Sequence, residues 1–93
     1  MAINENIMHY VYILKQKDKD HFYVGLTNDI TRRLAEHKNN KNLSTRGRDW
    51  ELHCYFCFKN RKIASKFEDY LKTGSGRAFS KKHFEFKIDE ALA

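Results

Sequence analysis

The chain is 93 residues long, which suffices for one domain with a modest core and little else. Its 18 Lys and Arg against 12 Asp and Glu give a formal charge of +6, with an isoelectric point near 9.4. Such an excess on so short a chain suits a polyanionic partner, nucleic acid before acidic membrane, and on charge alone suits a merely soluble basic domain equally well. No apolar run approaches the ~20 residues of a membrane span, and the first residues carry no signal-peptide core. A cytoplasmic location with reduced cysteines is therefore expected.

Met1 to Ile7 has no pattern and reads as a loose start. His9-Tyr10-Val11-Tyr12-Ile13-Leu14 is aromatic and β-branched, a strand by composition. Alternation puts Tyr10, Tyr12 and Leu14 on one face and His9, Val11 and Ile13 on the other. Gln16 to Asp20 is a short polar hairpin connection, and His21 to Leu26 is the second strand. Antiparallel pairing would let Tyr12 and Tyr23 share a face, with Gly25 leaving space beside them. Two tyrosines on a sheet face are also ordinary packing, so this pair alone assigns no role.

After Gly25 the chain passes through Thr27-Asn28-Asp29, where Asn28 or Thr27 can cap a basic amphipathic helix. Steps of three and four from Ile30 reach Arg33, Leu34 and His37, which share one helix face. Arg33 and His37 thus lie beside the apolar anchor, a placement that presents a cation to something. Lys38 to Asp49 is a loop with Lys38, Lys41, Arg46 and Arg48 among small polar residues, read either as a solvated linker or as a contact to backbone phosphates.

Trp50 to Lys59 is the third strand, with Trp50, Leu52, Cys54, Phe56 and Phe58 in strict alternation. Cys54 and Cys57 form a C-x-x-C, but their spacing on a strand sends them to opposite faces, so they read as packing residues rather than a metal or redox pair. Asn60 caps a second helix to about Lys72, with Ile63, Ala64, Phe67 and Leu71 as its apolar stripe. Glu68 falls at the edge of that stripe, four residues before Lys72, where an ion pair along the helix is its simplest use. Thr73-Gly74-Ser75-Gly76-Arg77 ends the helix and restarts a short third one through His83. Its glycines fit an anion-binding turn or a tight helix corner equally well. Phe84 to Ala93 is a mixed tail in which Phe84 and Phe86 could pack under the sheet.

Tyr10-Val11-Tyr12, eleven residues from Tyr12 to Tyr23, Tyr23-Val24-Gly25, Arg33 eight residues past that glycine, His37 four further on, and Glu68 on the next helix form an ordered set. This set resembles the GIY-YIG nuclease superfamily, and more narrowly its small stand-alone bacterial members, which are similar to the nuclease module of the excision-repair incision subunit. The resemblance covers about residues 8 to 84 of a single domain spanning 1–93. Tyr10 departs from the pattern, standing where the family name motif has its first glycine, and no equivalent of the family's late asparagine is found.

The resemblance implies an α+β fold, a three-stranded antiparallel sheet with two main helices and a short third in the order β-β-α-β-α-α. It implies hydrolysis of a DNA phosphodiester with one divalent metal ion, Mg²⁺ before Mn²⁺. Glu68 would be the metal ligand, and Arg33 would hold the scissile phosphate as a guanidinium fork. Tyr12 would help take the proton from the attacking water, its pKa lowered by Arg33 and the metal. Tyr23 would orient water or phosphate, and His37 would hydrogen-bond within the group. The roles of the two tyrosines could be exchanged. Lys38, Lys41, Arg46, Arg48, Arg77, Lys81 and Lys82 are the candidate DNA-contacting residues, phosphate-binding types that set affinity rather than sequence. Selectivity for DNA structure, or a partner protein supplying it, follows. The rivals are an inactive nucleic-acid-binding module of the same fold and a small RNA-binding protein.

Overall fold

Two strands rich in aromatic and β-branched residues, β1 (His9–Gln16) and β2 (Phe22–Thr27), pair antiparallel through a tight hairpin. The computed structural model describes residues 7–19, 21–39 and 49–84, so the expectations for 1–6, 40–48 and 85–93 lie outside the described residues. The hairpin closes with the Gln16 N–H donating to the His21 carbonyl at 2.9 Å. Asp18 takes the left-handed conformation there (φ 64°), which a short polar side chain tolerates better than most. The register places Tyr12 opposite Gly25 and Leu14 opposite Tyr23, so both tyrosines do share a face.

β1 is the central strand, and β3 (Trp50–Phe58) pairs antiparallel along its other edge, giving the order β2-β1-β3. The ladder slips once: Cys54 lies opposite Ile13 but Leu52 opposite Leu14, leaving His53 as an extra residue. This bulge changes the phase of the strand. Cys54, Phe56 and Phe58 face one side of the sheet while Trp50 and Leu52 face the other, and the expected unbroken alternation on a single face is corrected accordingly. Cys54 and Cys57 do fall on opposite faces. Only Cys54 packs against the core; Cys57 is exposed.

Each sheet face has its own cover. Val11 and Ile13, both fully buried, meet Ala64 and Leu71 of α2 (Arg61–Leu71), ringed by Phe56, Phe58, Phe67 and Phe79. Each such side chain contributes about 1.5–3 kcal/mol by leaving water. On the opposite face Tyr12 and Leu14 are covered from α1 (Ile30–Lys38), whose Leu34 and His37 meet Leu14, Trp50 and Leu52 around a shared cleft. The α2 stripe centres on Ala64, Phe67 and Leu71. Ile63, expected within it, lies off its flank and is 55% exposed.

α2 begins at Asn60, whose side chain accepts from the Ile63 N–H at 3.0 Å, as read from the sequence. α3 (Gly74–Phe84) is eleven residues long, equal to α2 rather than a short appendage. Its first turn is fixed by Thr73, whose hydroxyl accepts from the Gly76 N–H at 3.1 Å. Gly76 is there for close approach: a Cβ would run into the Tyr70 carbonyl and the Leu71 Cα. The tight-corner reading accounts for this glycine. Phe84 belongs to α3 and packs on Phe56, with ring centroids 5.1 Å apart.

Candidate active site

The start of α1 sets the direction of every side chain that matters. Its cap is Asp29, which accepts from the Arg32 N–H at 3.0 Å, and not Asn28 or Thr27. Thr27 serves the turn before the cap instead, its hydroxyl accepting from the Asp29 N–H at 3.0 Å. The helix phase is unaffected, so Arg33 and His37 point back onto the tyrosine face of the sheet.

There they meet Tyr12. The Arg33 Nε–H donates to the Tyr12 hydroxyl at 3.1 Å, and that hydroxyl lies 2.8 Å from His37 Nε2. Arg33 is always a donor, so the hydroxyl accepts from it. Burial, and then the neighbouring Arg33 cation, lowers the pKa of His37, whose Nε2 holds the hydroxyl from the other side. A second guanidinium nitrogen, Nη1, donates to Glu36 at 2.8 Å. Two of its nitrogens are engaged within the protein, Tyr23 acts on it as well, and the side chain remains partly exposed.

The electrostatics of Tyr12 differ from expectation. Burial pushes its phenol up to about 12, and the Arg33 bond only partly offsets this. The bond in turn raises the already high pKa of Arg33. Desolvation wins here because Tyr12 has no exposed surface. Tyr23 completes the cluster, its ring centroid 6.2 Å from Tyr12, 5.1 Å from His37 and 6.4 Å from Trp50. Unlike Tyr12 it is only half-buried, and it opens onto a cleft of about 270 Å³ shared with Phe22, Lys72 and Arg77.

Glu68 stands apart from this network. Its Oε2 accepts from Lys72 Nζ at 3.1 Å, the helix ion pair that the spacing allows, and no hydrogen bond joins it to Tyr12 or Arg33. Its partner Lys72, and not Glu68 itself, lines the cleft with Tyr23. Among the described residues no three His, Cys, Asp or Glu side chains gather into a metal cage. A half-buried carboxylate with one engaged oxygen nevertheless fits a hard cation that keeps most of its waters. Of the remaining basic candidates, Lys38, Arg77, Lys81 and Lys82 are exposed, and Lys41, Arg46 and Arg48 lie outside the described residues.

A second cleft, also about 270 Å³ and mostly polar, is lined by residues the sequence did not single out as a group: His9, Arg32 and Arg61, together with Arg33. A signal was present. Neither α1 nor α2 has an acidic residue in its first turn, and both have arginine there instead. A cation at that end forgoes about 0.3–1 kcal/mol relative to an acid.

A model of the GIY-YIG catalytic domain matches residues 8–85 of the chain. The chain belongs to the GIY-YIG family. Within this nuclease family it is similar to a UPF0213 protein of Clostridium perfringens, 42% identical over 67 residues that cover 70% of this chain and 71% of that one. It is also similar to a UPF0213 protein of Bacillus licheniformis, 35% identical over 92% of this chain and 84% of the relative. The solution NMR structure of a UPF0213 protein from Bacillus halodurans shares the GIY-YIG fold seen here, with a TM-score of 0.52 at 30% identity over 89% of this chain and 90% of that chain. No helix among the described residues is long and apolar enough to cross a membrane.

Proposed function

We propose that this GIY-YIG protein is a divalent-metal-dependent DNA endonuclease that selects DNA by structure and serves repair or recombination in the cytoplasm. The observation that carries the reading is the Arg33–Tyr12–His37 chain of hydrogen bonds, which spends a buried tyrosine on fixing one guanidinium at the protein surface. A guanidinium held in place before substrate arrives stabilises developing phosphate charge without reorganising. That is of little use to a surface that only attracts DNA.

In this reading Arg33 binds the scissile phosphate. Tyr23, the tyrosine that reaches a cleft, orients the attacking water. Tyr12 holds Arg33 and His37 in register. Glu68 would hold the divalent ion in place of its Lys72 partner, and the ion would supply charge neutralisation at the leaving oxygen. Lys38, Lys41, Arg46, Arg48, Arg77, Lys81 and Lys82 contact phosphates, with Mg²⁺ preferred to Mn²⁺ as the cofactor and a partner protein as a source of specificity.

The Glu68–Lys72 pair favours one alternative, an inactive binding module of the same fold whose carboxylate is permanently neutralised. Nicking of supercoiled plasmid with and without Mg²⁺ separates the two. The endonuclease reading expects nicking only with the ion, and faster cleavage of flapped or branched DNA than of a random-sequence duplex pool. A strong preference for one short sequence in plain duplex, persisting at high salt, would replace structure selection with base readout.

A further inference from the structure

We propose that the cleft lined by His9, Arg32, Arg33 and Arg61 is a second phosphate subsite, which grips a backbone phosphodiester next to the one held for cleavage. The inference rests on the endonuclease reading only in calling Arg33 the residue at the scissile phosphate. The cleft itself stands on its own geometry.

Three elements converge on it from distant parts of the chain. β1 brings His9, the first turn of α1 brings Arg32 and Arg33, and the first turn of α2 brings Arg61. Among the described residues the ion pairs of these arginines are with Glu36 alone, 2.8 Å from Arg33 and 4.0 Å from Arg32. Asp29 accepts from the Arg32 N–H at the same helix turn, so three guanidinium groups face two carboxylates and the balance is positive. Arg61 makes no ion pair among the described residues, although it lies at the helix end where a cation is least favoured. What sets Arg32 and Arg61 apart from the first-turn arginine of α3, Arg77, is that they line one cleft. The wall is polar, with Thr27 and Asn28 at the end of β2, and so suits an oxyanion rather than a base.

Arg33 links this cleft to the catalytic group. Its Nε and Nη1 are turned to Tyr12 and Glu36, and the same side chain lines the cleft. A phosphate seated on Arg32 and Arg61 therefore lies in the same cleft that Arg33 lines. Such a contact fixes register and affinity and carries no sequence information.

The test compares Arg61→Ala with Lys62→Ala, which removes the same charge from the next residue, exposed and outside the cleft. Binding of a short fluorescein-labelled DNA duplex is measured in chelator across a salt series. Arg61→Ala should weaken binding severalfold and reduce the salt slope by about one, the signature of one lost phosphate contact. Lys62→Ala should do markedly less. Equal losses in the two variants, or no loss in Arg61→Ala, would overturn the subsite and leave only a diffuse positive field. Metal-dependent nicking by the wild-type protein is scored separately. If it is absent while the Arg61 effect stands, the endonuclease reading fails and the phosphate subsite survives as part of a binding module.

Discussion

Gly25 lies directly opposite Tyr12 in the β1–β2 ladder, and a Cβ at Gly25 would fall on the Tyr12 ring and hydroxyl. The glycine is thus the floor on which the tyrosine rests while it reaches Arg33 and His37. Gly25→Ala should displace Tyr12 from a site with no free volume, at a cost of about 1–3 kcal/mol. Chemical denaturation should register that loss. Nicking should fall further than stability alone explains, because Arg33 loses its anchor.

Arg33→Lys should be nearly as inactive as Arg33→Ala, roughly 100-fold or more below wild type. Lysine keeps the charge but cannot bond Tyr12, Glu36 and a phosphate at once from one planar group. Arg32→Ala should leave kcat far closer to wild type and weaken DNA binding instead. Single-turnover nicking at saturating enzyme distinguishes the two.

Much of this site was legible because short-range periodicities determine it. The period of two along β1 and β2 put Tyr12 and Tyr23 on one face, and the helical period put Arg33 and His37 beside each other. Thr27 does not cap α1 because its hydroxyl is committed to the turn before it, and the cap falls to Asp29, a choice among neighbouring short polar residues that cap preferences do not rank. The His53 bulge depends on pairing with β1, so alternation within β3 alone could not reveal it. Nor could spacing bring His9 and Arg61 to Arg32, since these residues meet only after the chain folds. The raised phenol of Tyr12 was missed for a related reason: the nearby cation was visible in the sequence, whereas complete burial was not.

Acid should destabilise the fold through His37. Its folded pKa lies below the ordinary 6.5, chiefly from burial and then from Arg33. Between those two values the unfolded chain binds more protons than the folded one, so stability is fully present above about 6.5 and falls as pH drops through the window below it. His37→Gln should flatten that part of the profile. Denaturation midpoints from pH 7 down to 5 would measure it, and an unchanged slope in the variant would place the titrating group elsewhere.

The proposed endonuclease reading rests most heavily on Glu68, whose contact with Lys72 also has a purely structural explanation. Plasmid nicking by wild type and Glu68→Ala, with Mg²⁺ and with chelator, tests it directly when paired with DNA binding in chelator. We expect the variant to lose at least about 100-fold in nicking rate. Its DNA affinity should be equal or higher, since removing a negative charge cannot weaken attraction to phosphate. Metal-dependent nicking by Glu68→Ala within about tenfold of wild type, a difference of only ~1.4 kcal/mol in barrier, would contradict the account and remove Glu68 from the site.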